Sequence, residues 1–473
     1  MTDLTAHPWF FCGIGGSGML PLALILRGAG AEVAGSDRSR DQGRTPEKFA
    51  WLESLGFALY PQDGSGIVSA QQTLVASAAV ENTVPEVVRA AELGCPRLSR
   101  AELLAMLFNA APARLAIGGT SGKSTVTGMA GWIMTAAGRD PTIMNGAVMK
   151  NFASPEAPFA SARIGGTSSR DGVFVSEVDE SDGSIALYDP TVAVLSNVSL
   201  DHKSLAELRS LFGAFVQRAA VAVINADDQE AAALMPQAKA LISFGIDNPT
   251  AMIGVAPSSI VEAPTALSAT VLDRRDGSSA RLELMVPGRH NLANALAAIA
   301  ACSAAGVAFP EAVQALGSFA GLARRFDIVG TSAAGVTVID DFGHNPDKVA
   351  ATLKTLRAHS GRIIAFFQPH GYGPLRQMGS ELAQTFARLL GPEDLTILCD
   401  PVYFGGTVDQ SEGSERIVRL IREAGGSAEY IPARDDCSAR IVQLARPGDR
   451  VVSMGARDDT LALFAKNLLA SLA

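Results

Sequence analysis

Gly119-Thr120-Ser121-Gly122-Lys123-Ser124 is flanked by residues that suit an anion. The apolar run Leu115-Ala116-Ile117 before it is predicted to be a buried strand. The stretch from Thr125 to Ala137 after it is predicted to be a helix. A glycine loop between strand and helix turns backbone N–H groups and a helix N-terminus toward phosphate. Lys123 would neutralise terminal phosphate charge, and the Ser124 hydroxyl suits a Mg²⁺ ligand. Ile117 stands where the longer G-x-x-x-x-G-K-[ST] loop has its first glycine, so the form here is the shorter G-T-x-G-K-[ST].

A second glycine turn lies at the start of the chain. Trp9-Phe10-Phe11-Cys12 reads as a strand, Gly13-Ile14-Gly15-Gly16-Ser17-Gly18 as the turn, and Met19 to Gly28 as a helix. A further strand, Glu32 to Gly35, leads into Ser36-Asp37. This is a dinucleotide-type β-α-β layout with an acid about 20 residues after the glycines. Thr73 to Ser77 ends another strand on small residues, where a ligand can approach. The glycines themselves do not say which nucleotide is held.

The elements that must position these turns form three successive βα segments. The first ends at a break, Asn109-Ala110-Ala111-Pro112. The second carries strands at Val173–Ser176 (ending at Glu177), Thr191–Ser196 and Val221–Asn225, and helices at Ser204–Arg218 and Asn291–Ala305. Between them lies a Thr/Ser/Val-rich β excursion from Ala251 to Val286. The third begins after Phe326. Its predicted strands are Val336–Asp341, Arg362–Phe367, Leu395–Cys399 and Arg450–Gly455, and its predicted helices are Pro346–Ala358, Gly379–Leu390, Ser414–Glu423 and Asp459–Leu472. The expectation is an α/β chain with three open parallel sheets and ligands beyond the carboxyl ends of their strands.

Composition narrows the classes. At 473 residues the chain exceeds one core, and 48% apolar residues with 46 glycines fit packed α/β domains with many tight turns. A formal charge of −9 with no basic run argues against nucleic acid as a partner. The five cysteines are dispersed, with no C-x-x-C, as expected for reduced thiols in a cytoplasmic protein. No signal peptide and no membrane-spanning run are expected.

Eight stretches in order carry a resemblance to the Mur ligase family: Gly13 to Met19, Gly119 to Ser124, Ser176 to Asp182, Asn197 through Asp201-His202, Val286 to Asn291, Arg324-Arg325-Phe326, Asp340 to Pro346, and Phe367-Gln368-Pro369-His370. The resemblance covers nearly the whole chain and is greatest to the alanine-adding members. It implies a Rossmann-like UDP-sugar domain (1–111), a central P-loop ATPase α/β domain (112–326) and a C-terminal Rossmann-like acceptor domain (327–473). It implies ATP-dependent amide formation through an acyl phosphate, joining L-alanine to the carboxylate of UDP-N-acetylmuramate, with ATP and Mg²⁺. Two alternatives remain beside it: the same chemistry with another amino acid or a murein peptide as acceptor, and a nucleotide-binding homologue without turnover. A monomer or homodimer is expected.

The resemblance also implies residue roles. Gly119, Thr120, Ser121, Gly122, Lys123, Ser124 and Thr125 would hold ATP, with Ser124 on Mg²⁺. Glu177 and His202 would hold a second Mg²⁺, although His202 also reads as a surface-loop histidine. Glu180 and Asp182 read either as acids behind the metal ligands or as helix caps. Asn291 and Asn294 would approach adenine, or serve as an N-cap and a buried helix polar group. Arg325 would reach the ATP phosphate, Asp341 the ribose and His344 the acceptor side, through a lid-like closure. Gly15, Gly16, Ser17 and Gly18 would cradle the UDP pyrophosphate, with Asp37 and Ser77 along the uridine or ribose.

The acceptor side departs from the family pattern. Phe342 stands in place of an aromatic hydroxyl, and Asn345 in place of a second histidine. Gly371 and Pro374 occupy positions of carboxylate-gripping arginines, leaving only Arg376 in register, with Tyr372 beside it. Loss of a bidentate carboxylate grip is not conservative. Ser121 replaces a histidine in the phosphate loop, a change expected to leave ATP binding intact.

Overall fold

Every residue of the first strand, Trp9–Cys12, is buried. Trp9 and Phe11 enter one apolar cluster and Phe10 and Cys12 another, as a strand covered on both faces requires. The structure, a computed structural model, describes residues 4–78, 80–166, 172–199, 203–403 and 409–472. The first sheet comprises β1 (Trp9–Cys12), β2 (Val33–Ser36), β3 (Ala58–Tyr60), β4 (Thr73–Ala76) and β5 (Arg97–Ser99), all parallel in the order β3-β2-β1-β4-β5.

The second sheet is built from β6 (Ala113–Gly118), β7 (Thr142–Met144), β8 (Ala162–Arg163), β9 (Val173–Glu177), β10 (Val192–Leu195), β11 (Val221–Asn225), β12 (Leu241–Phe244), β13 (Ile253–Val255), β14 (Val261–Glu262), β15 (Leu267–Asp273) and β16 (Ser278–Leu284). Its order is β14-β15-β13-β12-β11-β10-β6-β9-β7-β8, with β16 paired to β15. The expected all-parallel sheet is corrected here: β13, β15 and β16 run antiparallel, as do β7 and β8. The polar-alternating Thr/Ser/Val stretch forms hairpin strands, which need only one covered face. Phe108 packs edge-on against Phe174 and Tyr188, with ring centroids 5.6 and 5.4 Å apart, so the first two sheets share a core.

The third sheet holds β17 (Asp327–Thr331), β18 (Thr337–Asp341), β19 (Ile363–Gln368), β20 (Leu395–Leu398), β21 (Ala428–Tyr430) and β22 (Arg450–Gly455), in the order β17-β18-β22-β19-β20-β21. It is parallel except for β17, which pairs antiparallel with β18 at the edge. Phe367 and Val452 face one apolar cluster, Phe366 and Val451 the other.

The chain forms two compact units. The first comprises Met1–Val261, Leu267–Met285 and His290–Gly321; the second comprises Glu262–Ala266, Val286–Arg289 and Leu322–Ala473. Among the described residues, no helix is long and apolar enough to cross a membrane.

Candidate active site

The phosphate loop leaves the end of β6 and enters the helix Lys123–Ala136. Gly119 (φ +129°) and Gly122 (φ +84°) both occupy left-handed backbone, which admits few side chains. One side chain staples the loop from the next strand. Asn197, just past β10, accepts at Oδ1 from Thr120 Oγ1 (2.8 Å) and Ser121 N (2.9 Å), while its Nδ2 donates to Ser121 O (3.0 Å). The loop is therefore held in shape by the protein itself.

Lys123 Nζ donates to Gly119 O at 2.8 Å and to Glu180 Oε2 at 2.7 Å. Burial pushes the Glu180 carboxyl above its ordinary range, and the Lys123 charge opposes that rise. Ser124 Oγ donates to Glu177 Oε2 at 2.7 Å, and Gly146 N donates to the other Glu177 oxygen. Asn145 Nδ2 holds Ser124 O from the neighbouring strand end (2.9 Å). These contacts exist because β6 and β9 are adjacent, with Ile117 opposite Glu177.

A hydroxyl and a carboxylate oxygen converging at strand ends fit Mg²⁺, which takes oxygen ligands and keeps several waters. Among the described residues no group of three or more His, Cys, Asp and Glu is placed to hold a metal. His202 lies outside the described residues. Thr125 follows Ser124 in the first helical turn, half-buried. Asp182 accepts from Ser184 N (2.9 Å) and, with Asp179, stands 4.0 Å from Arg100.

Asn291 and Asn294 both lie buried on the helix Arg289–Ala304, with Asn294 Nδ2 3.3 Å from Asn291 Oδ1. Asn294 is placed directly against the phosphate loop. A Cβ on Gly122 would meet its Oδ1 at 2.6 Å.

At the first glycine turn, Asp37 is buried and already engaged. Its Oδ2 accepts from Gly15 N and its Oδ1 from Ser39 N, both at 2.8 Å. Lys48 Nζ donates to Gly15 O at 3.2 Å. Asp37 thus ties the glycine turn to the end of β2. Gly16 and Ser17 are exposed at the crest of the turn, and Gly18 is half-buried beside Arg100. Ser77 sits half-buried just past β4.

In the second unit, Asp341 is the last residue of β18. Its carboxylate accepts from Phe326 N (2.8 Å), Gly343 N (3.0 Å) and Thr352 Oγ1 (2.8 Å). It thereby fixes the Arg324–Phe326 turn, where Arg324 (φ +62°) and Phe326 (φ +47°) hold left-handed backbone. Two guanidinium groups rest on the Phe342 ring, with Arg325 Cζ 4.5 Å and Arg324 Cζ 5.1 Å from its centroid. His344 is near Phe342 O through Nδ1 (2.9 Å) and meets His370 edge-on at 4.9 Å. Burial, aided by the Lys348 charge, pushes its pKa down to about 3, so the ring is neutral near pH 7. The helix expected from Gly379 begins at Tyr372, because Gly371 and Pro374 lead into its first turn instead of breaking it. Tyr372 and Arg376 are therefore helical, and Arg376 is engaged with Asp409 (3.3 Å).

Two contributors were not singled out by their type: Asn197 as the loop staple, and Arg324, which donates to Gly455 O (2.7 Å) and Asp458 O (3.1 Å); Glu180, read as an acid behind the metal ligands or a helix cap, is the partner of Lys123. For Asn197 and Glu180 the available signal was position, each lying just past a buried strand beside the phosphate loop.

Three family models match successive stretches: "Mur ligase family, catalytic domain" over residues 10–111, "Mur ligase middle domain" over 117–302, and "Mur ligase, glutamate ligase domain" over 324–457. The chain is 35% identical to a UDP-N-acetylmuramate–L-alanine ligase of Clavibacter michiganensis, covering 95% of this chain and 90% of that one. It is also 35% identical to the protein of that name from Mesorhizobium japonicum, covering 98% of each. The crystal structure of UDP-N-acetylmuramate-alanine ligase from Thermotoga maritima shares the fold with a TM-score of 0.79 at 24% identity, covering 98% of both chains. With all three models matched in order and relatives alike along almost its full length, the chain belongs to the Mur ligase family.

Proposed function

We propose that this chain joins L-alanine to the carboxylate of UDP-N-acetylmuramate in peptidoglycan precursor synthesis, at the expense of ATP. The observation that carries the reading is the convergence of Lys123, Ser124 and Glu177 at the ends of β6 and β9, in a chain 35% identical to relatives named for that reaction. A carboxylate cannot expel oxide, so it is first phosphorylated. The amine then attacks the acyl phosphate, and phosphate leaves. Positioning and charge neutralisation dominate such chemistry.

In this reading Gly119 to Thr125 cradle ATP and Lys123 exchanges Glu180 for phosphate oxygens. Ser124 supplies an oxygen to one Mg²⁺, and Glu177 with His202 would hold a second; when bound, these ions would screen phosphate charge. Asn291 and Asn294 serve the adenine side. Gly15 to Gly18 hold the UDP pyrophosphate, with Asp37 shaping that turn and Ser77 flanking it. On the second unit, Arg325 serves ATP phosphate and Asp341 the ribose. Neutral His344 offers the acceptor an imidazole without charge.

A second reading keeps the chemistry and changes the acceptor. It is favoured by Gly371 and Pro374 in place of gripping arginines, and by Arg376 being paired with Asp409. Phosphate release with ATP, UDP-N-acetylmuramate and a panel of amines decides. Release dependent on L-alanine supports the first reading, release only with other amino acids or peptides supports the second, and none with any amine rejects both.

A further inference from the structure

Three of the chain's five tyrosines lie on neighbouring segments around one carboxylate in the second unit. Asp400 follows the end of β20, on the carboxyl edge of the sheet, and is exposed. Tyr430, the last residue of β21, donates its hydroxyl to Asp400 Oδ1 at 2.6 Å. Tyr372 opens the helix after β19, and its ring meets that of Tyr403 edge-on at 6.4 Å. The charge of Asp400 acts on both Tyr372 and Tyr430 and helps hold their hydroxyls protonated; Tyr430, through its hydrogen bond to Asp400, is pushed up to about 12.

The backbone beneath this group is tied together. Val402 N donates to Pro369 O (2.8 Å), Asp400 N to Pro432 O (3.1 Å), and buried Ser414 Oγ to Cys399 O. Among the described residues no lysine or arginine pairs with Asp400. The arginines on the surrounding elements have other partners: Arg376 with Asp409, Arg416 with Glu412, and Arg434 with Asp458. A carboxylate flanked by aromatic rings and lacking a cation is the chemistry that recognises an organic cation, by charge and by ring quadrupole together.

We propose that Asp400, Tyr372, Tyr403 and Tyr430 form a binding site for an alkylammonium or guanidinium group on the acceptor substrate. The proposal rests on the reading that the second unit brings the acceptor, and it names the feature of that acceptor which replaces the missing carboxylate grip. It deepens the second reading above, in which the acceptor is other than L-alanine: that acceptor is longer than alanine and carries positive charge at its far end.

The probes are L-lysine and L-norleucine, which have the same chain with and without the terminal charge. Each is titrated into the full chain by ligand-observed NMR. L-Lysine is expected to bind at least about tenfold more tightly, and Asp400→Asn to bring it down to the level of L-norleucine. Tyr403→Leu, at an exposed ring, is expected to lose part of the preference with unchanged thermal melting. Equal binding of the two probes to the wild type, or an undiminished L-lysine preference in folded Asp400→Asn, overturns the proposal. Because binding is read without turnover, a lysine preference with no phosphate release would reject the ligase reading and leave this site standing. L-Alanine turnover without a lysine preference would do the reverse.

Discussion

Lys123 Nζ lies 2.7 Å from Glu180 Oε2, an ammonium held by a carboxylate that is almost fully buried. In the proposed reading the lysine is thus parked on an internal counter-charge, for which nucleotide must compete. The Gly119 carbonyl holds the same ammonium from the other side, so its position is fixed before any phosphate arrives.

Lys123→Ala is expected to lower phosphate release by on the order of 10³-fold or more, the scale seen when a phosphate clamp is removed. The fold is expected to survive, because burial already raises the Glu180 pKa and the stranded carboxyl can take up a proton. UDP-N-acetylmuramate binding, measured by calorimetry, is expected to be retained, since the glycine turn at Gly13–Gly18 does not use Lys123. Loss of that binding in a folded variant would reject this division of labour.

Gly122→Ala meets two separate obstacles. The φ of +84° costs a side chain about 1–2 kcal/mol, and the new Cβ would lie 2.6 Å from Asn294 Oδ1. ATP affinity by fluorescence titration is expected to fall at least about tenfold, a loss of about 1.4 kcal/mol. Adding Asn294→Ala removes the collision and leaves the backbone strain. The double variant should therefore recover only part of the loss, unless Asn294 itself binds adenine, in which case it recovers none.

Asp37→Ala separates shaping a turn from touching a ligand. The carboxylate links Gly15 N to Ser39 N, and losing such a cap costs about 1 kcal/mol. The affinity for UDP-N-acetylmuramate is expected to drop about tenfold while ATP affinity is unchanged. Asp37→Asn, which keeps an acceptor oxygen, should recover much of it. If Asn is as poor as Ala, the carboxylate charge contacts the ligand directly.

Legibility in the sequence followed the length over which a pattern acts. Strand-glycine-helix at Gly119 is local, so the loop and its lysine could be read directly. The strands Val173–Glu177 and Arg450–Gly455 are built on short apolar runs, Val173 to Val175 and Val451-Val452, and are equally plain. The helix Tyr372–Leu389 starts seven residues before the expected Gly379, with Gly373 and Pro374 inside its first turn, where proline is tolerated. The antiparallel pairing of β13, β15 and β16 depends on neighbours distant in sequence. So does Asn197, which reaches the loop across 76 residues. Residue type announces a lysine or a glycine, whereas an asparagine acquires its role only from what the sheet order brings beside it.

The pH dependence of stability carries two opposed contributions within the second unit. Burial depresses His344 to about 3, from an ordinary value of 6.5. The unfolded chain then binds the extra proton, so this contribution is present above pH 6.5 and is lost as pH falls toward 3. Burial raises Asp340 to about 7 despite Arg324 at 3.5 Å. Here the folded state binds the extra proton, so the contribution is present below pH 3.8 and is lost as pH rises through 7. In thermal melts between pH 4 and 8, His344→Gln should lie closest to wild type at the alkaline end, where the wild-type ring is also uncharged, and gain on it at the acid end. Asp340→Asn should lie closest at the acid end, where the wild-type carboxyl is protonated, and gain on it at the alkaline end. Parallel curves for either variant would contradict its assigned shift.

Phe342 supplies the last test, because its ring is the surface on which Arg324 and Arg325 both rest. Arg324 is also anchored by the Gly455 and Asp458 carbonyls, so it should keep its place without the ring. Phe342→Ala is expected to loosen the packing of Arg325, lowering kcat for phosphate release about tenfold and raising KM for ATP, as a loosened phosphate contact would. Phe342→Tyr keeps the aromatic face and should restore both parameters. If Tyr fails where Phe succeeds, the position reads the acceptor through its edge and the stack is incidental. If Ala is silent, Arg325 does not need the ring to reach phosphate.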